Sequence, residues 1–134
     1  MTTGFPPKVR QLILERAGRE NDWVRCERTG IWEHVELIQV HHRIPRGSGG
    51  TSRPEVNQAA NGIAITLNEH AWIESNRTAA GELGLLISKL SGEQPCDVPV
   101  LLHHGWVLLD NEGNHQPADD SFVERFEHLR AVTW

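Results

Sequence analysis

Hydrophobic and polar positions alternate in a few stretches regularly enough to name elements. Val9, Leu12, Ile13 and Arg16 recur at helical spacing between Pro6-Pro7 and Gly18, which predicts an amino-terminal helix begun by the prolines and stopped by the glycine. Trp23 to Arg28 and Ile31 to His42 read as a hairpin around Arg28-Thr29-Gly30, with Val35, Leu37, Ile38 and Val40 the apolar positions leading into His41-His42. From Asn61 to Leu67, apolar residues alternate with small or polar ones, the pattern of a short half-buried strand. A helix follows, with Asn68 as its expected N-cap, Glu69 against the positive end of the dipole and Gly81 as its stop. At about 100° per residue, His70, Glu74 and Arg77 share one face of that helix, while Trp72, Ile73, Ala79 and Ala80 spread over the other.

Beyond this strand-loop-strand-helix unit, L-G-L-L-I-S-K, V-P-V-L-L and G-W-V-L-L-D read as strands of a small β extension over about 82–113. Phe122, Phe126 and Leu129 predict an amphipathic helix over about 117–131, placed to dock on the domain or on a partner. The fold class expected is α+β, in one domain spanning 1–134, because a chain of 134 residues buries about two thirds of its unfolded surface.

Between the two central strands the run H-H-R-I-P-R-G-S-G-G-T-S-R, His41 to Arg53, carries three arginines and no acid. Arg43, Arg46 and Arg53 therefore read as phosphate-binding: the guanidinium fork offers several donors, and Gly47, Gly49 and Gly50 let backbone amides approach an anion. Adjacent strand residues project to opposite faces, so His41 and His42 are expected to do different work.

These residues together resemble the HNH endonucleases of the ββα-metal type, above all small phage and actinobacterial members. The motif runs H-H-R-x-P-R-G-x-G-G at His41 to Gly50, then Ala60-Asn61, then His70, Ile73, Glu74 and Arg77 on the helix, and the likeness covers about residues 5–113 with the finger core at about 31–81. The resemblance implies a divalent metal held by His41 and His70, with His42 as general base. An imidazole is suited to that task because its pKa lies near neutral pH. Asn61, the middle asparagine of the motif, enters the catalytic set as the residue that ties the loop to the second strand and keeps His42 oriented; its amide offers both donors and an acceptor. Glu74 and Arg77 form either a solvated i,i+3 pair or a set around the metal, Glu74 supporting a ligand and Arg77 contacting phosphate. The implied reaction is hydrolysis of DNA phosphodiesters to 5′-phosphate and 3′-hydroxyl ends. Mg²⁺ is the default ion, although two neutral imidazoles favour Mn²⁺, Ni²⁺, Co²⁺ or Zn²⁺ in affinity. Relatives beside phage packaging genes suggest a terminase complex as partner. A non-catalytic DNA-binding or packaging subunit on the same scaffold is the alternative, and it would have no need of His42.

The chain departs from the family at the structural zinc. Where relatives carry two C-x-x-C pairs, this sequence has Cys26 with Thr29, and Thr66 with Glu69, so three of four thiolates are missing and no structural zinc is expected. Trp23, Trp32 and Trp72 are the expected apolar replacements. The remaining histidines carry no such pattern: His103-His104 read as the end of a hairpin strand, and His34, His115 and His128 as surface residues.

Charge refines the picture. The net charge is −5, yet residues 1–67 hold nine lysines and arginines against seven acids, whereas residues 68–134 hold four against eleven. Acidity is thus concentrated away from the arginine loop, and DNA binding is expected to be weak, salt-sensitive and made through few phosphates, or aided by a partner. No apolar run suits a bilayer span, the amino terminus lacks the pattern of a secretory signal, and two cysteines make no disulfide framework, so a cytoplasmic location without membrane association is expected.

Overall fold

Helix α1, Pro7–Ala17, forms where the pattern places it, and Gly18 ends it at φ 107°, a conformation that costs a glycine little. The computed structural model describes residues 4–46, 53–121 and 123–124. Gly47, Gly49 and Gly50 of the loop, and Phe122, Phe126 and Leu129 of the expected tail helix, lie outside the described residues. Among the described residues the fold is mixed α+β, with three α-helices and three small antiparallel sheets.

The first sheet joins β1 (Arg19–Glu20), β2 (Trp23–Arg25) and β3 (Trp32–His34). The expected arm from Ile31 to His42 is interrupted: Val35–Leu37 form a 3₁₀ turn, and the His34 ring caps it by accepting from the Glu36 amide at 3.2 Å. This local side-chain bond competes with the ladder, so the strand carrying the histidines begins only at Ile38.

That strand, β4 (Ile38–His42), pairs antiparallel with β5 (Gly62–Thr66), from Ile38 opposite Thr66 to His42 opposite Gly62. The alternation suggested a half-buried β5, but Gly62, Ile63, Ala64 and Ile65 are all buried. Ile63 and Ile65 face a core shared with Ile73, Leu85, Val100, Leu102, Val107 and Leu109, whereas Ala64 packs with Ile13, Leu14 and Ala17 of α1. The small residues of β5 are therefore the seat of a helix. A Cβ on Gly62 would lie 2.4 Å from Ile13 Cδ1.

Arg16 of α1 locks this contact. Its guanidinium is buried, donates to Glu27 (Nε to Oε2 3.1 Å, Nη2 to Oε1 2.8 Å) and reaches the carbonyls of Ala59 and Gly62, while Glu27 Oε1 also accepts from the Ala64 amide. A bidentate buried pair in which every guanidinium nitrogen also has a hydrogen-bond partner is the arrangement in which a buried ion pair holds geometry well.

Helix α2 (Leu67–Ser75) starts earlier than expected. Thr66, not Asn68, is its N-cap, its hydroxyl accepting from the Glu69 amide at 3.2 Å. The chain breaks at Asn76 (φ −132°, ψ 53°), and α3 (Arg77–Glu82) carries Gly81 inside it. At the positions where the resemblance would set a zinc knuckle stand this cap, Cys26 in the core and an Arg28–Glu69 ion pair of 3.4 Å. Trp23 and Trp32 do not replace it, since they are 51 % and 41 % exposed on the first sheet; Trp72 alone packs against the core.

The third sheet comprises β6 (Val100–Leu102), β7 (Gly105–Leu109) and β8 (His115–Pro117). Residues 83–89, expected as a strand, are irregular although Leu85, Leu86 and Ile87 are buried, because Arg43 reads their backbone in place of a partner strand: the Ile87 amide donates to the Arg43 carbonyl at 2.9 Å. No helix among the described residues is long and apolar enough to cross a membrane.

Candidate metal and catalytic site

His41 and His42 leave β4 in opposite directions, as cross-strand pairing requires. His41, opposite Ile63, points to the core side shared with α2, and His42, opposite Gly62, points to the side of α1. Both still border one surface cleft of about 400 Å³, because β4 ends at His42 and the chain turns there; Val40, Pro45, Arg46, His70, Glu74, Arg77 and Leu86 complete its lining.

The rings of His41 and His70 lie 5.5 Å apart between centroids, tilted by 59°. Glu74, one helical turn after His70, brings a carboxylate oxygen to 3.7 Å from His70 Nε2, and one ligand atom from each of His41, His70 and Glu74 lies within 4.8 Å of the other two. Two imidazoles bound to one ion at about 2.0–2.1 Å put their ring centres about 3.2 Å from it, so a 5.5 Å separation corresponds to an angle of about 120° at the ion.

The outward nitrogens are already committed. His41 Nε2 meets the Leu85 carbonyl at 2.8 Å, and His70 Nδ1 meets Gln39 Oε1. A carbonyl oxygen only accepts, so each of these nitrogens carries the hydrogen, and His41 Nδ1 and His70 Nε2 are the nitrogens left for a metal ion. Acceptors of this kind commonly orient metal-binding histidines. Burial holds the His41 pKa down, to about 4, against the opposing hydrogen bond to Leu85, so the ring is neutral at pH 7.

His42 is held by two residues that the sequence pattern did not single out. Phe5, just ahead of α1, stacks on it at 4.0 Å between centroids and 14° between planes. Asn57 Oδ1 meets its Nε2 at 3.0 Å, which leaves the lone pair on Nδ1. Burial, with the nearby Arg46 charge, lowers the His42 pKa below its usual value despite the Asn57 bond. Gln39 was open to detection, since it shares the His41 face two residues earlier on the strand; nothing local marks Phe5 or Asn57.

Asn61 is fully buried and does structural work. Its Oδ1 accepts from the Ile44 amide at 2.8 Å, and its Nδ2 donates to the carbonyls of Ile44 and Val56 at 3.1 and 2.8 Å, binding both ends of the arginine loop to the start of β5.

The arginines part company. Arg46 and Arg77 line the cleft, and Arg77 Nη1 donates to Glu74 Oε2 at 3.1 Å. Arg53 pairs with Glu55 at 2.6 Å and is not among the cleft-lining residues. Arg43 is a correction to the phosphate-binding expectation: it is 0 % exposed and donates to the carbonyls of Gly84, Ala60, Pro95 and Val98. It cannot reach a phosphate. Burial lowers its pKa to about 9, which still leaves the guanidinium charged at neutral pH. The run of cations looked alike in sequence, but the residue one step past His42 follows the inward face of the chain.

No family model, characterised protein or solved structure matches this chain. The functional reading rests on these side chains.

Proposed function

We propose that this protein is a metal-dependent endonuclease of the HNH type, with β4, β5 and α2 as its ββα-metal finger, hydrolysing DNA phosphodiesters to 5′-phosphate and 3′-hydroxyl products. The observation that carries the reading is the convergence of His41, His70 and Glu74 beside an independently oriented His42 in one cleft. Glu74 thereby moves from a supporting role to a ligand. Two neutral imidazoles and one carboxylate suit Mg²⁺ poorly and Mn²⁺, Co²⁺, Ni²⁺ or Zn²⁺ better in affinity, while abundance favours Mg²⁺ in cells. A divalent cation held there supplies positive charge to the phosphate and leaving oxygen as negative charge develops.

The chain's own groups divide the rest of the task. His42 Nδ1 accepts a proton from water, and the Asn57 amide and the Phe5 ring hold the imidazole that carries that lone pair at the edge of the cleft. Because its pKa is depressed, His42 is neutral and competent as a base at pH 7. Arg46 and Arg77 place positive charge along the cleft for the phosphate backbone. Asn61 acts through the loop by fixing the backbone after His42.

The test is plasmid cleavage across Mg²⁺, Mn²⁺, Co²⁺, Ni²⁺ and Zn²⁺ with His42→Ala as control. Metal-dependent nicking lost in the variant supports the reading. Metal and DNA binding without cleavage in the wild type would instead favour a non-catalytic DNA-binding or packaging subunit, and a terminase partner remains part of the proposal on resemblance alone.

A further inference from the structure

Three histidines outside the cleft come into successive ring contact. His103 and His104 form the turn between β6 and β7, with ring centroids 4.6 Å apart, and His104 lies 4.6 Å from His115 at the start of β8, the planes at 63°. The register of the third sheet sets His115 opposite Leu109, at the far end of β7 from the turn, so the ring contact is one that strand pairing alone does not place.

We infer that His104 and His115 form a second binding site, for a late divalent transition metal such as Cu²⁺, Ni²⁺ or Zn²⁺. Two imidazoles on one ion with bonds of about 2.0–2.1 Å have centroids about 4.5 Å apart when the angle at the ion is about 90°, close to the separation here. Both side chains are exposed to an arriving ion. Among the described residues no hydrogen bond occupies a ring nitrogen of His104 or His115, in contrast to His41 and His70, which each have one nitrogen engaged. His103 serves as a wall, its ring lying 3.3 Å from the Cβ position of Gly30 and its amide donating to the Glu27 carbonyl at 3.0 Å. His115 also borders a second cleft, of about 430 Å³, so solvent can reach the remaining coordination positions. Imidazole affinity rises along the series to Cu²⁺, so copper is the most sensitive probe and Mg²⁺ is not expected to bind.

The site is independent of the proposed nuclease centre and is tested apart from it. Full-length wild type, His41→Ala/His70→Ala, His104→Ala, His115→Ala and His103→Ala are titrated with Cu²⁺ and Ni²⁺ by calorimetry, with circular dichroism to verify folding. The His41→Ala/His70→Ala protein is expected to keep one equivalent of Cu²⁺, with nitrogen hyperfine structure from two imidazoles in its electron paramagnetic resonance spectrum. His104→Ala or His115→Ala is expected to weaken that equivalent at least about tenfold, and His103→Ala by far less. If the cleft double variant does not fold, loss of one of two equivalents on His104→Ala in the wild-type background answers the same question. Copper binding unchanged in both His104→Ala and His115→Ala overturns the site, as does absence of any equivalent they can remove. A wild type with a single equivalent that His104→Ala removes would uphold this site while defeating the cleft.

Discussion

Phe5 lies flat on His42, with 4.0 Å between ring centroids and 14° between planes, and this contact joins the segment before α1 to the end of β4. It also shields the ring from water, and burial is the leading reason that the His42 pKa is depressed. Phe5→Ala is expected to raise that pKa toward its ordinary value, so the acid limb of a pH–cleavage profile moves to higher pH. An unmoved limb with a uniformly lower rate would mean that Phe5 serves only the fold. His42→Ala itself should lower plasmid nicking by about 10²–10⁴-fold while Mn²⁺ binding is kept.

Glu74 can hold an ion directly or merely neutralise Arg77, and the two roles separate by substitution. Glu74→Gln is expected to weaken Mn²⁺ binding by about 10–100-fold, measured by calorimetry, whereas Arg77→Gln should leave it within a few-fold. Arg77→Gln should instead weaken DNA binding and reduce the slope of log affinity against log salt by about one. Equal effects of both variants on metal affinity would return Glu74 to a supporting role.

In metal-free protein with chelator present, His41 makes stability fall in acid. Its folded pKa of about 4 lies below the ordinary 6.5, so the unfolded chain binds the extra proton between those values. The contribution is fully present above about pH 6.5 and fades as pH drops toward 4, amounting to about 3 kcal/mol by the end of the window. Urea midpoints from pH 4 to 7.5 should therefore rise with pH, and His41→Gln should flatten that rise.

Arg43 is a structural cross-brace, and its variants should act on stability before DNA binding. Arg43→Lys leaves one compact ammonium where a planar fork met four carbonyls, so several acceptors lose their donor in the interior. A loss of about 3–5 kcal/mol by denaturant unfolding is expected. A stably folded variant with selectively weakened DNA affinity would restore the phosphate role.

The seat of α1 on β5 is tight enough to test with one methyl group. Gly62→Ala puts a Cβ against Ile13 Cδ1 and the Phe5 ring, and overpacking of this kind costs about 1–3 kcal/mol. Adding Ile13→Val removes the clashing methyl and should recover part of the loss, read as a shift in the urea midpoint.

Local pattern was sufficient for much of this protein. The spacing of Val9, Leu12 and Ile13, the turn residues, and the order strand-loop-strand-helix were legible because helices and strands repeat at 3.6 and 2 residues and each period shows in a short window. The closeness of the His41 and His70 rings agrees with the motif, and the separate direction of His42 followed from strand alternation. The i,i+3 pair of Glu74 with Arg77 survived even a break in the helix at Asn76.

What the tertiary structure decided were the relations that no window contains. Arg43 and Arg46 stand in one basic run, yet one is sealed among four carbonyls and the other faces the cleft, because burial depends on what packs over a face. Both faces of β5 are covered since α1 returns to it from nearly fifty residues earlier in the chain. Phe5 and Asn57 reach His42 from separate segments, and His104 meets His115 across a sheet whose last strand no alternation announced. A sequence fixes which side chains are near along the chain; contacts between distant segments depend on the summed packing of all of them, and that sum is expressed only in the folded molecule.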